Sequence, residues 1–100
     1  NPKNNPLVLT ITTLFRYFLN LLTYHYQKKT TPNTQEMARL LGVHPFFMKD
    51  YIDGGKIYNA MKCATTISLL REYDMKSKGV GNANISDGEL LKELIFKIMH

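Results

Sequence analysis

The sequence contains one cysteine, no tryptophan and four prolines in 100 residues. Cys63 has no partner for an intrachain disulfide, so a packed core must hold the fold, and a reducing compartment suits it. Its place in an apolar helical stripe marks the thiol as packing rather than a nucleophile, which would need a base and an orienting group beside it. The histidines His25, His44 and His100 lie far apart and have no HExxH or CxxC company, so no metal-ligand spacing is present. There is no GxxxxGK[ST] phosphate loop. The short GVGN stretch follows a helical segment rather than a strand and is not a nucleotide fingerprint. Acidic residues are scarce, eight against thirteen basic ones. The one pair of carboxylates at useful spacing, Asp50 and Asp53, is expected to face solvent. These absences leave no catalytic constellation, and no cofactor or metal is expected. No run of eighteen apolar residues suggests a membrane span, and NPKNNP is not a signal peptide. The chain starts without methionine, so it is read as a piece of a longer protein.

What is present is helical periodicity. Pro6 suits the first turn of a helix in which Leu7, Val8, Ile11, Leu14, Phe15, Phe18, Leu21, Leu22, His25 and Tyr26 share one face. The other face carries Thr12, Thr13, Arg16, Asn20, Thr23 and Gln27. A solvated face normally holds more charge, so this one suits burial against a partner. After the turn KKTTPN, Asn33 or Thr34 caps a short helix through Met37, Ala38, Leu40 and Leu41 that stops at Gly42. His44–Pro45 opens the next helix, with Phe46, Phe47, Met48, Tyr51 and Ile52 on its apolar side and Gly54–Gly55 as its end. The stretch Lys56–Gly79 reads as a central helix, apolar on two sides: Ile57, Ala60, Cys63, Ala64, Ile67 and Leu70 on one, Tyr58, Met61, Leu69 and Tyr73 on the other. After a loop, Ser86 and Glu89 form a capping box for a last helix with Leu90, Leu91, Leu94, Ile95 and Ile98 inward and Phe96 exposed. The expected fold is all-α, a single five-helix bundle over residues 1–100.

Two sites stand out in that frame. TQEMARLLGVHPFFMKDYI reads like a helix-turn-helix, a motif that places its second helix in the major groove. That helix offers one lysine, Lys49, against Asp50 and Asp53, which is poor electrostatics for phosphate contact. The end of the central helix carries Arg71, Asp74 and Lys78 at i, i+3 and i+4 spacing, a charge cluster able to pair within itself. Asp74 continues the core stripe and therefore needs a partner. Beyond it, Lys76, Lys78 and the backbone amides of Gly79–Asn82 are placed to face a polyanion.

The stretches NPLVLTITTLFRYFLNLL, EMARLLGVHPFFMKDYI, ISLLREYDMKSKG and ELLKELIFKI, in this order, resemble the C-terminal domain of the delta subunit of bacterial DNA polymerase III. LGVHPFFMKDY and LLREYDMKSKG are the more specific parts. The resemblance implies an all-helical collar module at the C-terminal end of a longer AAA+-like protein. It implies a non-catalytic oligomerisation role within the clamp loader, the complex that places the sliding clamp on primed DNA. Implied partners are the other loader subunits, of gamma/tau and delta-prime type. Primed DNA is an indirect partner, and the clamp is reached only through N-terminal domains absent from this chain. A cytoplasmic, bacterial, replisome-associated setting without a membrane goes with that. The resemblance puts subunit contacts on Thr12, Thr13, Arg16, Asn20, Thr23 and Phe96. It places Lys76, Lys78 and Val80 near the template strand or primer end. The other reading open at this point is a helix-turn-helix DNA-binding module.

Overall fold

Most helices begin where the sequence supplies a side-chain acceptor for the unpaired amides of the first turn. A computed structural model describes residues 5–81 and 84–100 and contains α1 (Pro6–Gln27), α2 (Thr34–Leu41), a 3-10 turn (Pro45–Phe47), α3 (Met48–Ile57), α4 (Ala60–Ser77) and α5 (Asp87–Met99). The fold is all-α, with no strand among the described residues. Asn5 Oδ1 accepts from the amides of Leu7 and Val8, with Pro6 at the first helical position. Asn33 caps α2 through Gln35 and Glu36, and Ser86 caps α5 through Glu89. Each cap satisfies donors that the helix leaves orphaned. The lead-in before Asn5 and residue Asn82 of the loop after α4 lie outside the described residues.

Two C-termini are closed by glycines in the left-handed region. At Gly42 (φ 71°) the amides of Gly42 and Val43 donate to Arg39 and Ala38 at 3.1 and 2.9 Å. At Gly79 (φ 87°) the amides of Gly79 and Val80 donate to Lys76 and Met75 at 3.0 and 3.2 Å. Both follow the Schellman pattern of one 5→2 and one 6→1 bond. The amides of Gly79 and Val80 are thus spent on the end of α4 and do not face a polyanion.

The chain divides into two compact units, Asn1–Arg16 with Thr66–His100, and Tyr17–Thr65. The core of the first is Leu7 and Ile11 of α1, Thr66, Ile67, Leu70 and Tyr73 of α4, and Leu90, Leu94 and Ile98 of α5. The core of the second is Phe18 and Leu21 of α1, Met37, Ala38 and Leu41 of α2, Met48 and Tyr51 of α3, and Cys63 of α4.

Several expectations need correction. The central helix starts at Ala60, not Lys56, because Asn59 Oδ1 accepts from the Lys62 amide at 2.8 Å and breaks the run. Lys56 and Ile57 belong to α3. The buried stripe of α4 is single, running through Cys63, Thr66, Ile67, Leu70 and Tyr73, while Ile57, Met61 and Ala64 are exposed. Tyr26, expected on the core face of α1, is 72% exposed. Ile95 is partly exposed, and Phe46 and Phe47 stand out of the second unit as a T-shaped pair.

Gly54–Gly55 does not end α3. The glycines let α1 approach: a Cβ on Gly54 would collide with the Tyr17 hydroxyl, and one on Gly55 would sit 3.1 Å from Tyr24 Cε2. The Tyr17 ring cannot easily yield, since it stacks on Tyr51 at 5.1 Å and its hydroxyl donates to the Asp50 carbonyl at 3.2 Å. Gly54→Ala is therefore expected to cost about 1–3 kcal/mol by overpacking, read as a lower urea midpoint with unchanged m-value. An unchanged midpoint would show that Tyr17 moves freely.

Thr66 is buried, and its hydroxyl has no hydrogen-bond partner among the described residues. Removing an unsatisfied buried hydroxyl relieves a desolvation cost of about 1–3 kcal/mol. Thr66→Val should raise the thermal midpoint, by roughly 4–8 °C per kcal/mol recovered. A fall would mean that the hydroxyl has a role the fold needs.

Candidate interaction surfaces

The outer side of α1 is built by its inner side. With Leu7, Ile11, Phe18 and Leu21 turned inward, the helical period sends Leu9, Thr12, Thr13, Arg16, Leu19 and Tyr26 outward, all exposed. Asn20 and Thr23 are half-buried at the edge of that face. Thr12 and Thr23 turn their hydroxyls back onto the carbonyls of Val8 and Leu19 at 2.9 and 3.0 Å, leaving methyl groups outermost. Asn20 donates to the Tyr51 hydroxyl at 3.2 Å and is partly spent inside the second unit. The face carries one charge, Arg16. By length and composition α1 is also apolar enough to cross a membrane, and 22% of its most apolar window is buried by the chain.

The charge cluster of α4 forms in part. Lys78 Nζ meets Asp74 Oδ2 at 3.1 Å, on a carboxylate 41% exposed, so Asp74 lies at the edge of the core rather than in it. Arg71 makes no ion pair among the described residues. Lys76 pairs with Glu72 at 3.1 Å and lies over the Tyr73 ring, 4.7 Å from its centroid. Val80 is exposed. Lys76 and Lys78, the cations expected to meet nucleic acid, are thus each matched to a carboxylate one turn earlier.

Tyr73 is fully buried, and its hydroxyl donates to Glu93 Oε1, joining α4 to α5. Lys97 stands 3.7 Å from the same carboxylate and 5.2 Å from the ring centroid. Burial, then the bond to Glu93, pushes the phenol above its ordinary 10.0. That bond, helped by Lys97, holds Glu93 below its ordinary 4.5. The Tyr73 oxygen raises Lys97 above 10.5. This cluster was not legible in the sequence, because no periodicity pairs residue 73 with residue 93.

In the helix-turn-helix-like segment, Lys49 is bound to Asp53 at 2.7 Å, which leaves Lys56, in the last turn, as the other cation of the second helix. Its exposed residues include apolar ones, with Phe46 79% exposed. His44 Nδ1 accepts from the Phe46 amide at 3.0 Å and serves as a cap. His25 Nε2 lies 2.7 Å from the Tyr58 carbonyl, which can only accept, so Nε2 carries the proton and Nδ1 accepts from Lys28 at 3.4 Å. The Cys63 thiol is buried, raised by that burial, and directed at the Tyr58 carbonyl. No group of three or more metal-binding side chains comes together among the described residues.

One concavity of the first unit joins α1 to α4. Ile11, Thr12, Phe15, Leu70, Arg71 and Asp74 line a cleft of about 210 Å³. The sequence marked Phe15 and Leu70 only as core positions. Phe15 is half-buried and forms a wall. Phe96, expected outside, is 63% exposed and packs on His100 at 4.4 Å. Comparison with protein-family models, with curated proteins and with solved structures found no match to this chain.

The shifts at Tyr73 and Glu93 set a pH window. A depressed carboxylate stabilises the fold above its unfolded pKa, and the gain is lost as pH falls through the folded value; a raised phenol loses its gain above its unfolded pKa. The link is thus at full strength between 4.5 and 10.0. Glu93→Gln should be less stable than the parent at pH 7, and the gap should close as pH falls to about 3. A gap unchanged in thermal melts at both pH values would place the stabilisation elsewhere.

Proposed function

We propose that the protein is a non-catalytic helical interaction module that docks on other protein subunits, a collar of the clamp-loader delta type that its sequence resembles. The observation that carries this reading is the outer face of α1, where Leu9, Leu19 and Tyr26 are exposed on a face with one charge. Exposed apolar faces of this kind mark association sites. On α5, the exposed Phe96 and Met99 supply a second apolar patch. In this reading Thr12, Thr13, Arg16, Asn20, Thr23 and Phe96 meet neighbouring subunits of gamma/tau and delta-prime type, in the cytoplasm. Lys76, Lys78 and Val80 form a secondary approach to primed DNA, weakened by the pairing of both lysines with carboxylates.

Two other readings are separable. A helix-turn-helix DNA reader needs several free cations on its second helix; Lys49 is neutralised by Asp53, and the only other cation of that helix is Lys56 in its last turn. A membrane span is favoured by the composition of α1. Against it, Leu7, Ile11, Phe18 and Leu21 are already buried by the chain itself, and Asn20 is bonded to Tyr51. Insertion would have to dissolve that packing.

The test mixes the protein with clamp-loader subunits of the two types and follows assembly by size-exclusion chromatography and titration. Leu19→Glu and Phe96→Glu, both on exposed positions, should each weaken assembly about tenfold or more while the fold is retained, as hot-spot loss does. No assembly, or assembly indifferent to both variants, would overturn the proposal. Tight binding to random duplex at moderate salt would favour the DNA reader, and co-flotation with lipid vesicles the membrane reading.

A further inference from the structure

The cleft of the first unit has a floor, a lip and a size, and each restricts what it can hold. Its floor is apolar: Ile11 and Leu70 are buried, and Phe15 forms the wall. At about 210 Å³ it falls below the roughly 300–1,000 Å³ of pockets that enclose drug-sized metabolites. It has room for one large apolar side chain, the size of a protein anchor residue.

The lip sets the charge. Asp74 is already held by Lys78 at 3.1 Å. Arg71 makes no ion pair among the described residues, and the remaining six (Asn1, Pro2, Lys3, Asn4, Asn82 and Ala83) bring no carboxylate side chain. Its guanidinium therefore keeps a planar fork of donors, the geometry that receives a carboxylate with two parallel bonds. The Thr12 hydroxyl gives its proton to the Val8 carbonyl at 2.9 Å, so its oxygen is left to accept from an incoming N–H. A nucleic-acid backbone is a poor occupant, because the lip offers one arginine only and the aliphatic floor offers nothing to a phosphate.

We infer that this cleft is an anchor pocket for an acidic segment of a protein partner. A side chain of leucine or phenylalanine size enters over Phe15 and Leu70, the adjoining carboxylate lies on Arg71, and a backbone N–H donates to Thr12. The inference rests on the reading of the protein as an interaction module and assigns chemistry to the end of the α1 face that holds Thr12 and Arg16.

The test uses N-acetyl-leucine as probe, with N-acetyl-leucinamide and N-acetyl-glutamate as controls, titrated at millimolar concentration into the 15N-labelled protein. N-acetyl-leucine should shift the amides of Thr12, Phe15 and Arg71. The amide should bind at least fivefold more weakly for want of the carboxylate, and acetyl-glutamate more weakly still for want of the apolar chain. Arg71→Gln lies on an exposed position and should keep the folded spectrum while abolishing the preference for acid over amide. Shifts centred elsewhere, equal binding of acid and amide, or a preference that survives Arg71→Gln would each overturn the inference. Should the probe fail while Leu19→Glu and Phe96→Glu still weaken assembly, the anchor pocket falls and the interaction module stands. Should the probe bind as expected to a protein that assembles with no subunit, the collar assignment falls and the pocket stands.

Discussion

The Tyr73 hydroxyl on Glu93 is the contact from which the first unit takes its form. A fully buried phenol needs an acceptor, since an unmet hydroxyl costs about 1–3 kcal/mol. Its acceptor comes from α5, twenty residues on. Glu93 adjoins Leu94, so the bond fixes the rotation of α5 about its own axis. Leu90, Leu94 and Ile98 then enter the core, and Phe96 and Met99 have nowhere to go but outward. The exposed apolar patch of α5 is in this sense a consequence of an inner polar bond. Lys97 reinforces the arrangement by sitting near both the carboxylate and the ring. Lys97 is exposed in large part, so solvent and salt screen its share, and the part-buried bond from Tyr73 carries the larger part.

The second unit solves a related problem with a different device. There too a tyrosine hydroxyl crosses between helices, from Tyr17 of α1 to the Asp50 carbonyl of α3. The acceptor is a backbone oxygen, so the contact constrains separation rather than charge. The helices reach that separation because Gly54 has no side chain to hold them apart. The stack of Tyr17 on Tyr51 and the edge contact of Phe18 with Tyr58 then fill the space the glycines leave. On the opposite side of α1 only Asn20 reaches back into this unit, through its bond to Tyr51.

The sequence made helix existence legible, together with those ends that carry their own chemistry. Asn33, Gly42, Gly79 and Ser86 act where their side chains or backbone freedom predict, because caps are local interactions. The start of α4 was misplaced although Asn59 was a readable signal, because the apolar period runs on through it. The glycine pair misled for the opposite reason: read locally it is a stop, yet its cause is a tyrosine more than thirty residues away. Phe46, Phe47 and Tyr26 show a further limit. Periodicity tells which residues share a face, whereas burial depends on whether another element arrives to cover it. The Tyr73–Glu93 bond and the cleft floored by Phe15 and Leu70 depend wholly on such arrivals.

The distribution of charge carries the functional argument one step further. All four ion pairs among the described residues use lysine, at Lys49, Lys76, Lys78 and Lys97, each with a carboxylate four residues earlier or later in the chain, Lys78 lying just past the end of α4. The three arginines, Arg16, Arg39 and Arg71, enter none of them. A lysine in an i,i+4 pair is a solvated point charge whose partner is supplied by its own helix, worth only a few tenths of a kcal/mol. An arginine left unpaired at the lip of an apolar cleft is a different object, because its planar fork gains most from a carboxylate brought by another molecule. The end of α4 therefore separates two kinds of cation within about two turns. Lys78 is used to neutralise Asp74, which keeps that carboxylate from repelling an acidic visitor. Arg71 is thereby left as the group that such a visitor would meet.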